Sequence, residues 1–230
     1  MPVRLTYGED AMKNLAKATL RLVAVLAITT CSAWGEAQAP PVGKASEWLP
    51  SASTMEKIRL QCAKQKGLDF GTCFVDSMKR AGATPQAVAF ARATGNTGYL
   101  SHFLERGRVD LAFVRYPFRA NENQGWILVN GAPAMIDVDS LSELPKGRLT
   151  ENPTYRALKE KYSKILLFGG DRDITQPPEM IILPDKGQRF IVGYRLLNGC
   201  HACEQVGSVR FSFDFKPDGT FLGSTLVDVQ

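Results

Sequence analysis

A chain of 230 residues, 44% hydrophobic and 22% charged, has the make-up of an ordinary globular protein and suits one domain or two small ones. Its formal net charge of +5 comes without any run of five or more Lys or Arg, so the surface is mildly basic and lacks a nucleic-acid footprint. There is no G-x-S-x-G elbow, H-E-x-x-H, P-loop or G-x-G-x-x-G, which excludes the common hydrolase, zinc-protease and nucleotide-binding templates.

The N-terminus reads as a targeting segment. Lys13, Lys17 and Arg21 precede the apolar run Leu22 to Ile28, and Ala37-Gln38-Ala39 follows. Basic, apolar, then A-x-A is the anatomy of a secretory signal peptide, here residues 1–39 with cleavage between 33 and 39. Pro40 hinders cutting after Ala39, which makes Ala33 and Ala37 alternatives, and Glu9 and Asp10 make Met12 a candidate start. Cys31 sits in a poor lipobox. The expectation is a periplasmic or secreted protein with no membrane span after cleavage, since the apolar run is far below the roughly 20 residues that cross a bilayer. Export leaves Cys62, Cys73, Cys200 and Cys203, an even number in an oxidising compartment. Four cysteines allow three pairings; the expected one is Cys62–Cys73 with Cys200–Cys203.

Residues 40–52, rich in Pro, Ala and Ser, read as an extended lead-in, and residues 53–230 as one α+β domain. Ser53 and Glu56 fit a capping box opening a first helix, with Met55, Ile58 and Cys62 at helical spacing and Gly67 as its stop. Asp69 caps a second, with Phe70, Cys73, Phe74 and Met78 inward and Gly82 beyond its end. A Cys62–Cys73 bond would tie this hairpin and, through loop entropy, stabilise it by about 2–3 kcal/mol. Thr84-Pro85 opens a third helix to about Thr94. Gly98 to Arg106, with Tyr99, Leu100, Phe103 and Leu104, reads as a fourth, placing His102 as a partly exposed helix residue. Residues 53–107 are thus the helical part and 108–230 the sheet part.

Val109 to Tyr116 reads as a strand. Trp126 to Val129 and Ala134 to Val138 flank Asn130-Gly131, the signal for a two-residue type I′ hairpin. Between these strands, the polar stretch Phe118 to Gly125, with Arg119, Asn121, Glu122, Asn123 and Gln124, is a candidate recognition loop. Residues 139–152 read as linker, Asn152-Pro153 as the cap of a fifth helix, and Lys164 to Phe168 and Glu179 to Leu183 as short strands. Asp171 and Asp173 fall short of a calcium-loop ligand series. Phe190 to Leu196 alternates, and Val209 to Phe215 does so more cleanly, with Val209, Phe211, Phe213 and Phe215 on one face. Lys216-Pro217-Asp218-Gly219 supplies a turn before a last strand from Phe221 to Val229. The predicted fold is an N-terminal helical cluster packed on a mostly antiparallel sheet with a C-terminal β-meander.

The chemically pointed group is Cys200-His201-Ala202-Cys203. As C-x-x-C it resembles the motif of thioredoxin-like oxidoreductases, which implies thiol–disulfide exchange with Cys200 and Cys203 as the reactive pair. That family's motif opens a helix after a strand, whereas this one lies between two strands. Haem attachment requires C-x-x-C-H, but Glu204 follows Cys203. Zinc would need further ligands, and His102 and His201 are the only histidines. No cofactor or metal is expected. If Asn198-Gly199 is a two-residue turn, Cys200 and Cys203 point to opposite faces of a strand and cannot bond. If 198–205 is a bulged loop, the pair closes a small ring and pushes His201 outward.

The second arrangement, over roughly Tyr194 to Phe215, resembles periplasmic inhibitors of vertebrate-type lysozyme, where a cysteine-bridged loop presents a histidine. The family's loop is longer, with a Lys-Pro-His-Asp core. The resemblance extends to Cys200, His201 and Cys203, and implies a non-catalytic, inhibitor-type binding module. The candidate surface is then Asn198, His201 and Glu204, with Arg119 and Asn121 second, for a protein or cell-envelope ligand. A third possibility is that both cysteine pairs are purely structural and the binding surface lies elsewhere.

Overall fold

A computed structural model describes residues 41–64, 68–121, 123–139, 144–169 and 173–230, all within one compact unit spanning Ala39–Gln230. The expected signal peptide with Cys31, and also Gly67, Glu122 and Asp171, lie outside the described residues.

The chain enters through a 3-10 turn, Lys44–Ser46, then helices α1 (Ala52–Cys62), α2 (Leu68–Arg80) and α3 (Pro85–Ala93). The cap of α1 is Ser51 rather than Ser53: its hydroxyl accepts from the Thr54 amide, and Glu56 pairs with Arg59 instead of reaching back. Ser51 offers the same capping chemistry two residues earlier, so Ala52 and Ser53 join the helix. Asp69 lies inside α2 and does not precede it. Thr84 caps α3 as expected, accepting from the Ala87 amide. The Cys62–Cys73 bond joins α1 to α2 over a core of Trp48, Ile58, Phe74, Met78 and Val88.

Four strands follow as an antiparallel meander: β1 (Tyr99–Leu104), β2 (Asp110–Arg115), β3 (Gln124–Val129) and β4 (Met135–Asp137). The expected fourth helix is therefore wrong; Gly98 to Arg106 holds strand β1, and His102 sits on it. The cause is a bulge. The register with β2 shifts between Leu100 and His102, and the Ser101 hydroxyl in the shift donates to the Phe113 carbonyl. A bulge brings two residues three apart onto one face, which mimics a helical i, i+3 pair. Leu100 and Phe103 accordingly share the face of Val114 and Ala112. The Asn130 turn is also longer than two residues. Asn130 takes φ 67°, its amide donates to the Ala134 carbonyl, and the Ala132–Pro133 bond is cis, so pairing resumes only at Met135.

The stretch expected as linker contains α4 (Lys146–Glu151), followed by α5 (Pro153–Lys161), which Asn152 caps by accepting from the Thr154 and Tyr155 amides. A second antiparallel sheet holds β5 (Ile165–Phe168), β6 (Glu179–Ile182), β7 (Gln188–Asn198), β8 (Gln205–Phe215) and β9 (Phe221–Val229), in the order β5-β7-β8-β9 with β6 also on β7.

The two sheets bury one core between them. Leu111, Phe113, Trp126 and Leu128 meet Phe190, Val192, Tyr194, Phe211 and Phe213. The other face of the first sheet packs Ala112, Val114, Ile127 and Val129 around Phe90 of α3. Helices, first sheet and second sheet thus form three layers. The first sheet is covered on both faces, so β2 and β3 are continuous apolar runs; β7 has one buried face and alternates. Buried Gln188 ties the layers, accepting from the Val109 amide and donating to the Arg106 and Val109 carbonyls. Among the described residues no helix is long and apolar enough to cross a membrane.

Candidate binding cleft and disulfide loop

The long strand β7 is flanked by β8 on one edge. On the other, β6 pairs with its first half up to Ile191, and β5 with its second half from Arg195. Among the described residues Val192, Gly193 and Tyr194 have no strand partner on that edge. Asp173, between β5 and β6 in sequence, meets the first sheet, where Trp126 Nε1 donates to its carbonyl at 3.2 Å.

A cleft of about 650 Å³ opens at this notch. Phe113, Arg115 and Gln124 of the first sheet form one wall, and β7 and β8 contribute Gly193, Tyr194, Arg195, Gln205 and Ser208. Asp173 and Ile174, between β5 and β6 in sequence, border it as well. A Cβ at Gly193 would meet nothing within 4 Å, so the missing side chain is part of the opening. Tyr194 is anchored away from solvent, its hydroxyl donating to the Val138 carbonyl at 2.6 Å. Burial raises its pKa, and the nearby Asp139 and Asp137 charges raise it further.

The charges in the cleft are unequal in their commitments. On β7 and β8, Arg189 and Arg210 are clamped by Asp214 and Asp228 in two-pronged ion pairs. Arg115 and Arg195 form no ion pair with any described carboxylate. The cleft's own carboxylate, Asp173, accepts from the Thr175 amide and hydroxyl at 2.8 and 2.7 Å, which holds its pKa below the usual carboxylate range. Among the described residues the cleft therefore carries two guanidiniums against one carboxylate that already accepts two bonds within its own turn.

The Cys-His-Ala-Cys group lies in the connection between β7 and β8. It is a loop, and the Cys200–Cys203 disulfide is formed, with Cα atoms 5.0 Å apart. Gly199 takes φ 91°, the Asn198 amide donates to the Glu204 carbonyl, and the Cys203 amide to the Cys200 carbonyl. Cys200 and Glu204 are exposed; Cys203 and Asn198 are half-buried. His201 is half-buried too, its ring 5.2 Å from that of Phe168 on β5. It leans on the sheet instead of projecting into water. The residues after Cys203 run into β8, so the motif does not open a helix whose N-terminus would lower a thiolate pKa.

Arg119 and Asn121 are exposed in the β2–β3 loop, with the Arg119 guanidinium 3.6 Å from the centre of the Tyr116 ring. Arg119 borders a separate hollow with Phe118 and Leu60. The β7 cleft thus lies at the roots of the two loops picked out from the sequence. Arg115 precedes one, Gln124 ends it, and Gln205 follows the other. None of the cleft's arginines stood out in the sequence, although a lone glycine inside an alternating strand, as at Gly193, is a recognised sign of close approach or an open site. Among the described residues no group of three or more His, Cys, Asp or Glu lies together as a metal site would require. No family model matches this chain, and neither a curated protein nor a solved structure matches it.

Proposed function

We propose that this protein acts by binding, without catalysis, and that its ligand seats in the cleft at the β7 notch, with the Cys200–Cys203 loop at its margin. The observation that carries this reading is the stretch of β7 over Gly193 that no described strand pairs with, where the sheet edge opens into a cavity of ligand size. On this reading both disulfides are structural. The Cys200–Cys203 ring fixes the connection from which Gln205 enters the cleft wall. The basic, apolar, Ala-x-Ala order of residues 1–39 supports action at the cell envelope or outside the cell.

A second reading, thiol–disulfide exchange at Cys200 and Cys203, is favoured by the exposure of Cys200. One assay separates the two. With dithiothreitol as electron source, wild type should reduce insulin no faster than the Cys200→Ser/Cys203→Ser variant. A wild-type rate clearly above the variant's would establish exchange chemistry and overturn the structural role.

A further inference from the structure

The geometry points to an organic oxyanion, a carboxylate- or phosphate-bearing molecule, as the ligand of the cleft, held by Arg115 and Arg195; this rests on the binding reading above. Arg115 comes from the first sheet and Arg195 from the second, so two guanidiniums separated by 80 positions in sequence border one cavity. Neither is neutralised by a described carboxylate, whereas Arg189 and Arg210 on the same sheet are. A guanidinium offers planar paired donors that match carboxylate and phosphate oxygens. Gln124, Gln205 and Ser208 add neutral polar groups, and the exposed Ile174 gives an apolar surface for the carbon body. Among the described lining residues Asp173 is the one acid; its charge, with Oδ1 accepting both bonds from Thr175, disfavours a second anionic group beside it. That selects a molecule with one anionic end and a neutral remainder.

The test uses residue-resolved NMR of the full folded chain with four probes: benzoate, phenyl phosphate, benzamide and benzylamine. Benzoate and phenyl phosphate share the proposed chemistry, and the stronger of the two identifies the source. The amides of Gly193, Arg195 and Gln205 should shift with the anions and not with benzamide or benzylamine. Arg115→Gln and Arg195→Gln should each weaken anion binding about tenfold or more, as expected for a charged hydrogen bond. Arg148→Gln, an exposed arginine outside the cleft, should leave it unchanged. Cleft shifts with benzamide or benzylamine alone would overturn the anion assignment and leave the binding reading standing. No cleft shift with any probe would overturn both. Anion shifts that survive both arginine substitutions would overturn the assignment to Arg115 and Arg195.

Discussion

Gly193 sits mid-strand in β7, opposite Arg210, with backbone angles open to any residue and no neighbour within 4 Å of where a Cβ would stand. Glycine inside a strand is destabilising by roughly 0.5–1 kcal/mol relative to alanine, because it loses more backbone freedom on folding. A β-branched residue would suit the pleat and fill the opening. Gly193→Val should therefore raise the urea midpoint while abolishing binding in the cleft. A lowered midpoint would show that the position is sterically constrained and that the glycine serves the fold. Gly125 contrasts with it: a Cβ there would stand 2.6 Å from an Asp139 carboxylate oxygen, so a side chain at that position requires the Asp139 carboxylate to move aside.

At the scale of elements, β8 and β9 are adjacent strands with opposite sensitivities. Phe213 is fully buried between the sheets, while Leu222 on β9 is 55% exposed. Phe213→Ala should cost about 3–5 kcal/mol, the sum of lost transfer energy and the cavity left behind. Leu222→Ala should stay within about 0.5 kcal/mol. Equal losses in urea unfolding would contradict the two-sheet core. The alternation at Val209 to Phe215 was legible because β8 has one buried face, and a period of two survives in the sequence only under that condition. Strands β2 and β3, buried on both faces, announced themselves as apolar runs instead. The caps at Thr84 and Asn152 were equally readable, being local side chain-to-backbone bonds. Strand β1 was not, because its bulge imitates helical spacing. Helix α4 was missed inside a presumed linker; it is short and starts after Pro145, which makes no side-chain cap. The cleft was illegible for a different reason. It depends on β5 and β6 sharing one edge of β7 with a gap between them, and that pairing is non-local. The loops on either side of the cleft were legible in the sequence; the strand residues at their roots were not.

At the scale of the whole molecule, the three layers are joined at seams that contain tyrosines. Tyr99 belongs to the helical core, Tyr116 ends the first sheet's helix-facing cluster, and Tyr194 bonds from the second sheet to Val138 just beyond β4. Tyr155 packs α5 against the core between the sheets. Burial raises the pKa of all four above the ordinary phenol value of 10.0. Tyr116 is pushed up to about 12, by burial first and then by the Asp137 charge, with Arg119 opposing. A phenol with a higher pKa in the folded chain keeps its proton longer there than in the unfolded one. The native state then holds more protons through the intervening window, and stability declines as pH rises. This contribution is fully present below pH 10 and is lost between about 10 and 12 for Tyr116, a change on the order of 2–3 kcal/mol for that residue. Because the four phenols span every layer, their ionisation should weaken all the seams together, giving one cooperative alkaline transition. Far-ultraviolet circular dichroism and tyrosinate absorbance should follow the same curve, and Tyr116→Phe should move the midpoint to higher pH. Tyrosinate absorbance that reaches its full value below pH 10, with secondary structure intact, would show that these phenols ionise in the folded protein and are not the groups that hold the layers together.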